Sequence, residues 1–148
     1  MYLVDTNVLS VGAPLRAPMH EPLVLWMEEK SEELYLSVIT VAEVEEGIAK
    51  ARRLGAINKA DRLTAWLDAV LHLYSSRILP FDIRAARVAG GLLERVRGMG
   101  QAPGFPDIAI AATAQAYDLT LLTRNTRHFI FMGVRVHDPF VRLPSDSP

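Results

Sequence analysis

A three-layer α/β/α domain on a mainly parallel sheet is the fold class that this sequence predicts, on three observations. Short apolar runs of strand length, such as Tyr2-Leu3-Val4 and Leu34-Tyr35-Leu36-Ser37, alternate with longer stretches whose apolar residues recur at helical spacing. Strands separated by helices pair in parallel through right-handed crossovers. Polar residues, several of them acidic, stand where strand runs hand over to helices, the edge at which open parallel sheets hold their ligands.

Taken in order, Tyr2 to Val4 reads as a first strand, and Pro22 to Lys30 as a helix with proline in its first turn and Leu23, Trp26, Met27 and Lys30 along one side. Leu34 to Ser37 is the second strand. Thr40 to about Leu54 is a helix, since Val41, Val44, Ile48 and Ala51 recur at helical spacing and Gly55 closes it. Asn58 to Tyr74 is another, with Leu63, Trp66, Leu67, Val70, Leu71 and Tyr74 on its apolar face. Arg77 to Leu79 reads as a third strand broken by Pro80, after which Asp82 caps a helix running to about Arg97, where Gly90-Gly91 permits close packing. Asp107 to Tyr117 is an alanine-rich helix slim enough to lie close on a sheet. Thr120 to Thr123 is a buried strand, Asn125 to Phe129 a short turn, and Gly133 to Val136 a last strand before a proline-containing loose tail.

The 148 residues suit one domain with one core, expected over 1–140 with a short tail over 141–148. Half the residues are hydrophobic and the mean hydropathy is +0.16, which argues against disorder. No apolar run approaches the ~20 residues of a membrane-spanning helix, so a soluble protein is expected. The start of the chain resembles no secretory signal. The absence of cysteine excludes disulfides and thiolate metal sites and suits a cytoplasmic location. Sixteen Lys plus Arg against 17 Asp plus Glu leave a net charge of −1, so any contact with nucleic acid must be local. His20, His72, His128 and His137 are scattered without ligand spacing and read as ordinary residues, which argues against zinc.

Three carboxylates stand out: Asp5 after the first strand, Glu43 early in the helix after the second, and Asp107 at the start of the alanine-rich helix. A carboxylate beside a buried element is costly unless hydrogen-bonded or bound to a cation. Each also has a plain structural reading. Asp5 suits a helix cap or Asx turn with Thr6 and Asn7, and Asp107 a helix N-terminus. Thr40-Val41-Ala42-Glu43 has the form of a capping box in which Glu43 bonds back to the Thr40 amide. Glu45 and Glu46 read as solvated, and Gly47 leaves room beside Glu43.

Four segments taken together carry a family resemblance: Asp5-Thr6-Asn7, Val41-Ala42-Glu43 with Gly47 four residues on, Asp107-Ile108-Ala109-Ile110-Ala111-Ala112-Thr113-Ala114, and Leu122-Thr123-Arg124-Asn125-Thr126-Arg127-His128-Phe129. In this order and spacing they resemble the PIN-domain ribonucleases, specifically the VapC-type toxins of bacterial toxin–antitoxin modules, over nearly the whole chain. Ile78-Leu79-Pro80-Phe81-Asp82 is also similar to a segment common in that family. The resemblance implies that Asp5, Glu43 and Asp107 match the acidic residues that bind Mg²⁺ or Mn²⁺, with Asp5 and Asp107 the expected metal holders and Glu43 completing the site. Asn125 stands where many relatives have a fourth Asp, which removes a charge and weighs against a tightly held second metal. Thr6 matches a position that often helps order the site, its other reading being a strand-end hydroxyl bonded to backbone. The implied protein is a cytoplasmic, metal-dependent endoribonuclease toxin with RNA as substrate, a homodimer restrained by a small antitoxin.

Two other readings stay open. A haloacid-dehalogenase-like phosphatase would use Asp5 as nucleophile but needs a second Asp two residues on, where Asn7 stands. A non-catalytic module would keep the fold as a scaffold. Arg52, Arg53, Arg124 and Arg127 are candidate phosphate contacts, although arginines on helix surfaces are more often simply solvated.

Overall fold

A computed structural model describes residues 1–14 and 20–145. Five strands form one parallel sheet in the order β3-β2-β1-β4-β5: β1 (Tyr2–Val4), β2 (Leu34–Ser37), β3 (Ile78–Leu79), β4 (Thr120–Leu122) and β5 (Val136–His137). The helices among the described residues are α1 (Thr6–Leu9), α2 (Glu21–Glu29), α3 (Val38–Arg53), α4 (Ile57–Leu73), α5 (Ile83–Gly98), α6 (Phe105–Ala116) and α7 (Thr126–Phe129), with 3₁₀ turns after α1, α2 and α7.

Strand alternation explains the layers. Leu3 and Leu121 face one core with residues of α5 and α6, whereas Val4 and Leu122 face a second core with residues of α2, α3 and α4. Leu3, Val4, Leu121 and Leu122 are fully buried, each contributing roughly 1.5–3 kcal/mol of hydrophobic stabilisation. The three-layer α/β/α expectation is met. Helix α6 is buried from Ile108 to Ala114 on every side, which is why its sequence is apolar without a polar face.

Several boundaries differ from expectation for local reasons. Helix α3 starts at Val38 because Ser37 Oγ accepts the Ile39 amide at 3.0 Å. Thr40 is therefore inside the helix and Glu43 is not part of a capping box. Gly133 adopts φ +72, which no strand residue does, so β5 begins only at Val136. Gly90 and Gly91 lie on the exposed face of α5 with nothing within 4 Å of a built Cβ, so they bring no element close. The segment after β5 is fastened rather than loose: Phe140 and Leu143 pack on the core and line a recess with Pro22 and Leu23 of α2, and His137 Nε2 meets the Arg142 carbonyl at 2.6 Å. Residues 146–148 of the expected tail lie outside the described residues.

Candidate active site

The site begins where β1 ends. The Asp5 amide still donates to the Leu122 carbonyl at 3.0 Å, so sheet pairing carries one residue past the strand and fixes Asp5 at the carboxyl edge beside β4. Its side chain is 6% exposed and accepts three hydrogen bonds. The Thr6 amide reaches Oδ1 at 2.8 Å, while Asn7 Nδ2 at 2.9 Å and Thr123 Oγ1 at 2.7 Å reach Oδ2. The helix-cap reading of Asp5 thus holds. Despite these donors, burial pushes the Asp5 pKa above the ordinary aspartate value, and the charge of Asp107 adds to the rise.

Glu43, half-buried on α3, is raised as well, first by burial, then by the charge of Asp5, with Asp107 and Glu46 adding to it. The Thr6 hydroxyl is buried and reaches no partner at full hydrogen-bond geometry, yet lies close enough to Glu43 to favour its ionised form. Asp107 is in the first turn of α6 rather than at its cap, because the helix already starts at Phe105 with Pro106 in its first turn. Its carboxylate is 33% exposed and meets His128 Nδ1 at 3.3 Å. The three acidic residues are therefore electrostatically coupled at one edge of the sheet. Among the described residues, no three His, Asp or Glu side chains stand close enough together to enclose a metal ion.

Asn125 is exposed and enters the network through its backbone, its amide donating to Thr123 Oγ1 at 3.0 Å. Its side chain makes no hydrogen bond with Asp5, Glu43 or Asp107 among the described residues. Thr123 and Asn7, which the motifs contain without singling out, are the tie between the two central strands. Thr123 is fully buried, and Asn7 donates to Asp5 and, at 3.3 Å, to Thr123 Oγ1 while accepting the Arg124 amide at 3.0 Å. A polar residue closes the apolar run Thr120-Leu121-Leu122 just as Asp5 closes Tyr2-Leu3-Val4, a signal that could have marked Thr123. His128, read as ordinary, is the partner of Asp107. Of the arginines, Arg52 is paired with Asp61 at 3.0 Å, Arg124 lies over the Phe140 ring at 5.1 Å, and Arg127 lines a recess next to Asp107.

The PIN-domain family model matches residues 2–131. The chain belongs to the PIN-domain family. This PIN domain is 35% identical to Toxin FitB of Neisseria gonorrhoeae over 144 residues, covering 95% of the chain and 99% of the relative. It is 33% identical to VapC ribonuclease Y4jK of Sinorhizobium fredii over 145 residues, covering 95% and 98%. A solved structure of FitAB bound to an IR36 DNA fragment superposes with a TM-score of 0.76 at 34% identity, over 99% of this chain and 100% of that one. Among the described residues of this PIN domain no helix is long and apolar enough to cross a membrane.

Proposed function

We propose that this PIN domain is a divalent-metal-dependent endoribonuclease, the toxin of a toxin–antitoxin pair, acting in the cytoplasm on RNA. One observation carries the reading: a buried Asp5, its proton affinity raised, is coupled to Glu43 and Asp107 at the carboxyl edge of a parallel sheet. Relatives named as a toxin and as a VapC ribonuclease, matched over almost their full lengths, support the class.

The donor set suits Mg²⁺ or Mn²⁺. It is made of oxygen only, and its coupled carboxylates carry a repulsion that a cation relieves. The buried Thr6 hydroxyl, beside Glu43 but without a hydrogen bond of full geometry, fits a site meant to hold water or an ion. Mg²⁺ keeps several waters and takes only one or two carboxylates plus substrate phosphate, a demand that Asp5 and Asp107 can meet. Asp5 and Asp107 would hold it, with Glu43 completing the site and Asn125 orienting water or substrate. When bound, the ion supplies Lewis acidity at the phosphate and a water activated for in-line attack.

The protein's own groups do the rest. Asp5 is locked by three donors, which fixes its orientation before substrate arrives. Glu43, with raised proton affinity, is suited to take a proton during attack. Thr123 is committed to Asp5 and buried, so it does not serve as a nucleophile, and hydrolysis proceeds by direct attack of water.

Restraint comes from a small antitoxin. An apolar groove of about 420 Å³ between the turn after α1 and helices α2 and α4 presents Leu9, Val11, Val24, Met27, Trp66 and Leu73 to an amphipathic helix. Exposed Phe105, edge-on to Phe81 at 5.8 Å, and exposed Ile83 offer apolar surface for homodimer formation. Purified protein should cleave single-stranded RNA with Mg²⁺ or Mn²⁺ and stop with chelator, and Asp5→Asn should abolish cleavage. Turnover unchanged in Asp5→Asn, with contaminating nuclease excluded, would refute the mechanism.

A further inference from the structure

A recess of about 400 Å³ opens beside Asp107, bounded by the loop before α6 and by α7 with the turn that follows it. Its walls are mixed: Gln101 and Arg127 are polar and exposed, while Pro103 and Phe131 are half-buried and apolar. Asp107 and His128, 3.3 Å apart, form the wall that the recess shares with the acidic site. A ligand seated there is contiguous with the carboxylates.

We propose that this recess seats the nucleotide adjoining the scissile phosphate, and that Gln101, Arg127 and Phe131 set the preference for RNA sequence at that position. The inference rests on the nuclease reading above. A nucleotide has the chemistry the walls ask for: a flat π-face, polar base edges and an anionic linkage. Phe131 offers an aromatic surface for stacking, the common way in which proteins hold unpaired bases. Gln101 carries a donor and an acceptor on one amide, which is what reading a base edge requires. Arg127 forms no ion pair among the described residues, so its charge is available to phosphate, and a chain of net charge −1 needs such local cations. The recess between α3 and α4 is the weaker candidate, because its Arg52 is already committed to Asp61 and none of the acidic site residues lines it.

The test separates this proposal from the nuclease reading. In the Asp5→Asn background, binding of a fluorescent single-stranded RNA octamer is followed by anisotropy across a salt series. Phe131→Leu, which keeps an apolar side chain against the core, should weaken binding about tenfold through lost stacking. Arg127→Gln should reduce the slope of log affinity against log salt by about 0.7, one phosphate contact on a single strand. In the active protein, sequencing the ends of a cleaved randomised RNA should show Gln101→Ala flattening the preference at one position next to the cut and leaving the others intact. An RNA that the parent protein binds and cuts, with affinity, salt slope and cleavage preference unchanged in all three variants, overturns the proposal and leaves the nuclease standing. If the three variants instead reduce capture of an acidic peptide and not of RNA, the recess is a protein-docking site and the proposal fails. A parent protein that neither binds nor cuts RNA with any divalent ion overturns the nuclease reading and this inference together.

Discussion

Replacing Thr123 with Val removes one oxygen from the site and keeps the side chain's shape, so the energetic consequence can be worked from three contacts. The hydroxyl donates to Asp5 Oδ2 at 2.7 Å and accepts from Asn125 N at 3.0 Å and Asn7 Nδ2 at 3.3 Å. Asn7 keeps its other acceptor on Asp5, and Asn125 is exposed, so water replaces the loss there. The bond to a buried carboxylate dominates, and a hydrogen bond to a charged group is worth ~1.5–3 kcal/mol. Thr123→Val should therefore cost about 2–3 kcal/mol at pH 7, or roughly 5–10 °C in Tm for a domain of this size.

The pH dependence has a definite sign. The Thr123 bond lowers the pKa of Asp5 against a larger rise from burial, so losing it lifts that pKa further. The stability penalty is then full above the raised Asp5 pKa and shrinks as pH falls through it, because a protonated carboxyl no longer needs a charge-assisted donor. The acid limb of RNA cleavage should move to higher pH for the same reason. Thr123→Ser keeps the oxygen and loses a buried methyl, costing about 0.8 kcal/mol, and should leave the acid limb in place. Paired thermal melts and pH–rate profiles of both variants decide the matter. Equal losses in Val and Ser, with no displacement of the limb in Val, would show that the hydroxyl does not hold Asp5.

Glu43→Gln should stabilise the metal-free protein at neutral pH. The folded-state pKa of Glu43 is raised, so its contribution is present in acid and lost as pH rises through that value. With chelator present, the Tm difference between variant and parent should grow from near zero in acid to positive at neutral pH and narrow with Mg²⁺; a difference independent of pH would remove the coupling argument. Asn125→Asp should retain cleavage and tighten metal affinity by restoring a charge, while Asn125→Ala should lower turnover less than Asp5→Ala, and the reverse order in single-turnover assays would reassign the roles. Leu73→Glu places a charge on the rim of the apolar groove at a residue already 58% exposed, so capture of the proposed antitoxin on co-expression should be lost while the unfolding free energy stays within ~0.5 kcal/mol of the parent. Retained capture would place the antitoxin elsewhere.

What could be read in the sequence depended on how local its cause was. β2 was legible from Leu34 to Ser37 because a buried strand needs only its own residues to declare it. The faces of α3 and α4 were legible because Val44, Ile48, Leu63 and Leu67 repeat at helical spacing. The start of α3 was misread because two hydroxyls, Ser37 and Thr40, are both apt caps, and it is Ser37 that accepts the Ile39 amide while Thr40 is buried inside the first turn. The strand after α7 was misplaced because a left-handed Gly133 looks no different in sequence from a glycine that opens a strand. The Asp5–Thr123 bond spans 118 residues of chain, and the Asn7–Thr123 bond 116; no local pattern encodes either.

Those long-range bonds follow from register. β1 and β4 pair with Val4 opposite Leu122, so the first polar residue after each strand arrives at the same level of the sheet, and Asp5 meets Thr123. β2 is set against β1 with Leu3 opposite Tyr35, and its last residue, Ser37, caps α3 so that the helix brings Glu43 into the field of Asp5. A one-residue slip in either pairing would turn these side chains to the opposite face and disperse the site. The fold tolerates the resulting concentration of negative charge because Asp5 is held by three donors, while Glu43 and Asp107 remain partly open to solvent. Full burial without those donors would leave an unpaired charge costing several kcal/mol, so the hydrogen-bonded shell around Asp5 is what allows a repulsive carboxylate set to exist before any cation or RNA arrives.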